Sequence, residues 1–249
     1  MKKFAYISMA IVTILIMPGK IYAQNEQVDS KLLSDTLLVA LYPYITKELT
    51  NYYGYLKQFG YEDAKILSIV RENDSLSFIT KVQVTTFEHA HDPPYSKEIM
   101  TFDVSPNGVQ TIRYQHEGDN VEKEIKAFYH ETLEDIKQTF HSNLASYSSY
   151  TYNQLEYQAD INKETGFTSL YKITEDIATN ILFPERKIPY KNVIDPVTFI
   201  KGNSGYILFK KSDGTNVIYR VQKKDDHWIV IEKTSKPGRK MEDALPWYI

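Results

Sequence analysis

The stretch SFITKVQVTTFEHAH, residues 77–91, decides the fold of the first half of this chain. Apolar and polar side chains alternate along it with a period of two, which is typical of a half-buried β-strand. One face carries Phe78, Val82 and Val84, and the other carries Lys81, Gln83 and Thr85. The sequence therefore predicts a strand whose apolar face packs against another element.

Strand-like runs flank this stretch on both sides. AKILSIVREN (residues 64–73) precedes it, and EIMTFDV (98–104) and VQTIRYQHE (109–117) follow it. We predict that the last two form a hairpin with a three-residue loop in which Gly108 is a left-handed bulge. That register pairs Phe102 with Ile112 and Met100 with Tyr114, so that apolar side chains face each other.

A helix is predicted before these strands. From Leu38 onward, apolar residues recur at spacings of three and four, at Leu41, Ile45, Leu49, Tyr52 and Leu56. Pro43 predicts either a kink or an effective start of the helix there, and Gly54 or Gly60 predicts its end. A helix packed on an antiparallel β-meander places this half in the α+β class.

Several short motifs occur in order along the first half: LYPYI (41–45), YYG (52–54), DAKIL (63–67), VQVTTF (82–87), HDPPY (91–95) and TF (101–102). Over about residues 30–116 the chain thereby resembles domain-of-unknown-function family 3888, small secreted proteins of Gram-positive spore formers. The resemblance implies secretion and a compact α+β domain, but it implies no reaction. Because family members are little longer than this half, the second half is a departure from the family.

The second half also reads as helix followed by meander. Helical spacing runs from Val121 to Leu144 with Asp119 or Asn120 as N-cap, and again from Leu170 to Ile181. The tyrosine-rich run SYSSYTYNQLEYQ (146–158) is interpreted as loop or exposed strand. Strands are predicted at VTFI (197–200), YILFKK (206–211), NVIYRVQ (216–222) and HWIVIEK (227–233).

These patterns predict a signal peptide (1–23), a family-like α+β domain (27–118), a linking helix (119–146) and a second α+β domain (147–249). By analogy, each helix-on-sheet lobe is similar to the cystatin or nuclear-transport-factor folds. Such folds host many functions, so the analogy assigns none.

The N-terminal segment is typical of bacterial secretory signal peptides. Lys2 and Lys3 precede an apolar run over residues 4–17, followed by Pro18-Gly19 and the small residue Ala23. We therefore expect a secreted protein, extracellular or cell-wall associated. The 249-residue chain has no cysteine, which excludes thiol catalysis and Cys-ligated zinc, and its net charge of −3 does not favour nucleic acid.

Two histidines, His89 and His91, end the opening strand one residue apart. Alternate strand residues project to one side, so the pair could hold a metal ion if a third ligand were near. His116 lies on the opposite face in the predicted register, and Asp92 and Asp103 are alternative third ligands. No cofactor-binding motif is present, and no cofactor is expected.

A second interpretation of the same stretch is a rigid turn. Asp92, Pro93 and Pro94 would end the strand, and Tyr95 would pack over the turn. These four residues are then candidates for a binding surface.

Ser204 is a further candidate. The stretch Gly202-Asn203-Ser204-Gly205 is similar to the nucleophile motif of secreted glutamyl-type serine proteases. That chemistry requires a histidine base and an orienting acid, which have no matching surroundings here. A glycine-rich turn between Ile200 and Tyr206 is the alternative.

Tyrosine is unusually abundant, with 20 residues. Tyrosine provides rigid contact area with a polar tip, which suits recognition of protein or carbohydrate, although half-buried core edges use it as well.

We interpret Glu134-Asp135 and Glu175-Asp176 as solvated helix faces. The sequence favours a non-enzymatic binding or accessory module acting outside the cell, with a secreted or wall-associated protein as partner. The alternative is a secreted hydrolase with a metal at His89 and His91 or with Ser204 as nucleophile.

Overall fold

The computed structural model describes residues 29–88, 91–162, 166–183 and 194–240. The predicted signal segment and His89 lie outside the described residues. Tertiary contacts place the described residues from Leu38 onward in one compact unit and the few described residues before Leu38 in another.

The first half contains one helix and a four-stranded sheet. Its elements are α1 (Ser30–Tyr53), β1 (Phe59–Arg71), β2 (Phe78–Glu88), β3 (Asp92–Ser105) and β4 (Gly108–Gly118). The strand order is β1-β2-β3-β4, and every neighbouring pair is antiparallel. The predicted helix and meander are confirmed.

The second half adds helices and a five-stranded sheet. Its elements are α2 (Asn120–Thr139), β5 (Ser148–Tyr150), α3 (Tyr152–Ile161), α4 (Phe167–Asp176) with a π-helical extension (Ile177–Leu182), β6 (Val197–Lys201), β7 (Ser204–Lys210), β8 (Thr215–Lys224) and β9 (His227–Pro237). The strand order is β5-β6-β7-β8-β9, again antiparallel throughout. The α+β class therefore holds for both lobes.

Helix α1 begins at Ser30, eight residues before the predicted periodicity, and Pro43 lies inside it. Proline leaves the carbonyl of residue 39 without its helical partner. Val39 and Pro43 are both exposed, so the interruption lies on the solvent side of the helix. The helix ends as predicted at Gly54, which has a φ of +76°.

The β3–β4 hairpin differs from the predicted register near its turn. Ser105 pairs with Gly108, so the loop has two residues, and Phe102 pairs with Thr111 rather than with Ile112. A bulge then inserts one residue, and Met100 pairs with Tyr114 as predicted. The one-residue shift in strand pairing, which we predicted in the loop, is thus made by a bulge within β4. Beyond the bulge, apolar residues of the two strands again pair with each other.

The segment 152–158, interpreted as loop or exposed strand, belongs to helix α3, so that interpretation was wrong. Thr151 and Gln154 form a capping box at its start: the Thr151 hydroxyl accepts from the Gln154 N–H, and the Gln154 side chain accepts from the Thr151 N–H. The pattern Thr-x-x-Gln before Leu155 is the sequence signature of this cap.

The second sheet is covered on both faces. Ile207 and Phe209 pack against helical residues such as Leu155 and Leu170, whereas Leu208 packs with Ile136 of α2. Successive residues of a strand point to opposite faces, which explains why β7 is apolar almost throughout. In the described part of the chain, no helix is long and apolar enough to cross a membrane.

Candidate functional site

A cleft of about 480 Å³ lies where the end of α1 meets the starts of α2 and α3. Such a volume is within the roughly 300–1,000 Å³ of small-molecule sites. Five tyrosines contribute to its walls: Tyr52, Tyr53, Tyr55, Tyr129 and Tyr152. The cleft therefore brings together a quarter of the 20 tyrosines of the chain.

Both halves of the chain meet at the end of α1. The Gln154 side-chain amide donates to the carbonyl of Tyr53 at 2.8 Å, which gives this helix-end carbonyl a partner. A Cβ built at Gly54 would lie 3.1 Å from the same amide nitrogen. Glycine is needed here both for its positive φ and for this close approach.

Glu98 of β3 is a fully buried carboxyl group beside the cleft, with 0% exposure. The hydroxyls of Tyr53 and Tyr114 each donate to it at 2.7 Å, and Nδ1 of His116 lies 2.9 Å from its Oε1. A buried carboxyl group requires such partners because it has lost its hydration.

His116 connects this buried group to the wall of the cleft. Its Nε2 lies 3.1 Å from Oε1 of Glu122, whose other oxygen accepts from the Ser96 hydroxyl at 2.5 Å. Lys126, one turn further along α2, also pairs with Glu122. A side chain at Gly118 would overlap the Glu122 carboxylate, so this position requires glycine.

Protonation in this network follows from burial and hydrogen bonding. Burial raises the pKa of the Tyr53 and Tyr114 phenols, and their contacts with Glu98 raise it further, so both remain neutral donors. Burial also raises the pKa of Glu122, but hydrogen bonds from Lys126 and Ser96 outweigh it and hold the pKa below its ordinary value. Glu122 is therefore an anion paired with a cation on the cleft wall.

Tyr52 lies over the network and is 46% exposed. Its ring stacks on Tyr114, with centroids 5.0 Å apart, and on His116, with centroids 4.9 Å apart. This stacking fixes the ring at the edge of the cleft.

The opposite wall carries a second ion pair. Lys57, whose side chain is 5% exposed, pairs with Glu88, and its ammonium lies 5.1 Å from the centre of the Tyr53 ring. The same ammonium lies 5.9 Å from the centre of the Tyr55 ring. A cation held between two tyrosine faces and a carboxylate keeps these rings in place.

A second depression of about 310 Å³ adjoins the cleft. The two share Tyr55, Lys57, Glu88 and Asn153, so they meet along the Lys57–Glu88 pair. Tyr157 of α3 lines the second depression only.

The structure places His91 in a tight connection rather than in a ligand cluster. It has a φ of +72°, its ring lies 4.1 Å from that of Phe87, and its carbonyl accepts from the Tyr95 hydroxyl. His116 belongs to the Glu98 network, and Asp103 accepts from the Ser77 hydroxyl at 2.6 Å. Within the four described ranges, no group of three or more His, Asp or Glu side chains could hold a metal ion.

The other candidates of that stretch lie at the start of β3. Asp92 pairs with Glu88 across the strands, and the Pro93–Pro94 peptide bond is cis. Pro94 lines the cleft, and the backbone N–H of Tyr95 donates to the Asp119 carboxylate at 2.9 Å. Of the four proposed surface residues, the structure brings Pro94 to the cleft.

Ser204 begins β7 after a two-residue turn in which Gly202 has a φ of +58°. Its cross-strand neighbours are Lys201 and Gln222, neither of which is a histidine. The structure thus places Ser204 at an exposed hairpin end, outside the lining of the cleft.

Sequence reasoning missed Glu98 and Glu122 as site residues. For Glu98 a signal was present, because alternation along β3 puts this acid on the same face as the buried Met100 and Phe102. A charged residue on an apolar face requires partners, and a tyrosine or histidine on the neighbouring strand or on the helix that packs on that face can supply them.

Comparison with known proteins gives a partial match. Residues 33–118 match the family described as protein of unknown function (DUF3888), which confirms the resemblance over that segment. No match to the chain was found among curated proteins or among solved structures. The matched segment contributes the α1 and β3 walls of the cleft, whereas the α2 and α3 walls lie beyond it.

Proposed function

We propose that this protein is a non-enzymatic binding module that acts outside the cell and takes its ligand in the tyrosine-lined cleft. The observation that carries the proposal is the gathering of five tyrosines around a cavity of small-molecule size: four come from α1, α2 and α3, and Tyr55 comes from the connection after α1. The signal-like N-terminal residues support the extracellular location.

The state of the polar groups supports binding over catalysis. Glu88 and Glu122 are each paired with a lysine. Burial raises the pKa of the Tyr53 and Tyr55 phenols, so neither phenol ionises readily to a nucleophile. Such paired groups hold the walls in one geometry, which lowers the entropy lost when a ligand binds.

The proposal is tested with the full chain expressed in a secreting bacterial host. We expect the product in the medium, with an N-terminal sequence that begins near Gln24. This product is then heated with fractions of the producer's cell-surface extract, because a ligand that binds the folded state raises the melting temperature.

Matched tyrosine variants identify the site. We expect one or more fractions to raise the melting temperature of the unaltered protein and of Tyr61→Ala, whose tyrosine lies outside the cleft lining. The same fractions should leave Tyr52→Ala unshifted. Retention of the whole chain in the cell, or an equal shift in all three proteins, would contradict the proposal.

A further inference from the structure

We propose that the ligand of the cleft is a neutral oligosaccharide that extends from the cleft into the adjoining depression. This inference rests on the function proposed above and specifies its ligand. It is drawn from three properties of the site: aromatic faces of fixed orientation, lysines paired with glutamates, and a second depression that shares lining residues with the cleft.

The hydroxyls of two cleft tyrosines are hydrogen-bonded to other groups of the protein. The Tyr53 hydroxyl donates to Glu98 at 2.7 Å, and the Tyr152 hydroxyl lies 3.0 Å from that of Tyr171. Tyr171 in turn donates to Glu156 at 2.9 Å. Tyr152, whose hydroxyl is held by Tyr171, and Tyr52, whose ring stacks on Tyr114 and His116 and is 46% exposed, offer flat apolar surfaces of fixed orientation, against which the C–H faces of sugar rings stack.

The lysines of the cleft do not favour an anionic ligand, and Lys57 hinders a cationic one. Lys57 is paired with Glu88, and Lys126 is paired with Glu122, so neither ammonium offers an unopposed charge to an anion. Lys57 also occupies the space between the Tyr53 and Tyr55 rings where a ligand cation would bind.

The same ion pairs keep hydrogen-bonding capacity that suits hydroxyl groups. An ammonium has three donors and a carboxylate has about four acceptor positions, so the accessible members of the two pairs, Lys126 with 62% of its side chain exposed and Glu88 with 28%, can make further hydrogen bonds. Hydroxyls of a sugar both donate and accept, and they can therefore donate to Glu88 and accept from Lys126. A neutral ligand with apolar faces and many hydroxyls is a saccharide.

The shape of the site points to more than one sugar unit. The second depression shares Tyr55 and the Lys57–Glu88 pair with the first, and it presents Tyr157 as a further aromatic residue. A ligand that fills both depressions must be elongated. Affinity should therefore grow with the length of the oligosaccharide.

The test is a titration of the full chain with neutral oligomers of glucose, N-acetylglucosamine, galactose and mannose, two to six units long. Binding is measured by calorimetry and by backbone amide NMR shifts. We expect at least one series to bind saturably, with affinity rising tenfold or more from the dimer to the tetramer. Acidic oligosaccharides and tyrosine- or proline-rich peptides are titrated in parallel.

Three variants separate the two depressions. Tyr52→Ala should weaken every length tenfold or more, whereas Tyr157→Ala should abolish the gain with length and leave the dimer unaffected. Tyr61→Ala should bind like the unaltered protein, and melting temperatures verify that each variant is folded.

The outcomes distinguish this inference from the proposed function. Binding of peptides or acidic sugars that is lost in Tyr52→Ala, without binding of neutral sugars, would overturn the saccharide assignment and leave the cleft as the binding site. Neutral-sugar binding that survives in both Tyr52→Ala and Tyr157→Ala would overturn the location. If neither these probes nor the cell-surface fractions shift any cleft residue, both proposals fail.

Discussion

At the scale of single residues, Asp135 shows how one carboxylate can connect two elements. Its Oδ2 accepts from Lys210, whose side chain is 2% exposed, and from the Asn216 amide at 2.8 Å. Removal of the carboxylate leaves a buried ammonium without its partner. We expect Asp135→Ala to lower the free energy of unfolding by about 3 kcal/mol in urea denaturation.

The adjacent Glu134 is the matched control. It pairs with Lys137 one turn along the same helix, and 40% of its side chain is exposed. Exposed pairs contribute about 1 kcal/mol or less, so Glu134→Ala should have a small effect, and equal losses would contradict the assignment. Our interpretation of both acids as a solvated face was wrong for Asp135. The sequence alone could not separate them, because the partner lies 75 residues away.

At the scale of elements, Asp119 joins β3 to α2. Its Oδ1 accepts from the Glu122 N–H at 2.8 Å as N-cap, and its Oδ2 accepts from the Tyr95 N–H at 2.9 Å. Loss of a cap costs about 1 kcal/mol, and loss of the second hydrogen bond adds about as much again. We expect Asp119→Ala to lower the free energy of unfolding by about 2 kcal/mol.

The comparison is Thr151→Ala, which removes the cap of α3. Thr151 accepts one hydrogen bond at the N-terminus of its helix, from Gln154. Chemical denaturation should show about half the loss seen for Asp119→Ala, and a loss as large as that of Asp119→Ala would count against the joining role.

Element boundaries could be predicted where a residue has one local task. Asp119, one of the two predicted N-caps, and Gly54, one of the two predicted helix ends, are such cases, because their signals lie within one turn. The β3–β4 register was predicted only in part, since a bulge and a longer loop shift the pairing by the same one residue. Helix α3 was missed because its tyrosines mask a short periodic pattern.

At the scale of the whole molecule, the α+β class and the succession of helix and meander followed from periodicity. The cleft did not, because its walls come from segments far apart in sequence: Tyr53 and Gln154, which meet at its edge, are separated by 101 positions. Periodicity indicates which face of an element is buried but not which other face it meets.

The loss of stability in acid also belongs to the whole molecule, because Glu122 and Asp135 connect α2 to both sheets: Glu122 accepts from Ser96 of the first sheet, and Asp135 pairs with Lys210 of the second. Burial raises the pKa of Glu122 and Asp135, but hydrogen bonds from lysine and other donors outweigh it, so both pKa values lie below their ordinary 4.5 and 3.8. A carboxyl group with a lowered folded pKa stabilises the fold above its unfolded pKa. This contribution is lost as the pH falls through the folded value.

We therefore expect the free energy of unfolding to be nearly constant from pH 7 to about pH 5 and to fall below about pH 4. Asp135→Asn keeps the shape of the side chain but cannot ionise. This variant should be less stable than the unaltered protein at pH 7, because it lacks the stabilisation from the ionised carboxylate at every pH. The unaltered protein loses the same stabilisation when Asp135 is protonated, so the two stability curves should converge as the pH falls. Urea denaturation at a series of pH values measures both curves, and curves that stay parallel down to the acid transition would show that Asp135 does not contribute through its charge.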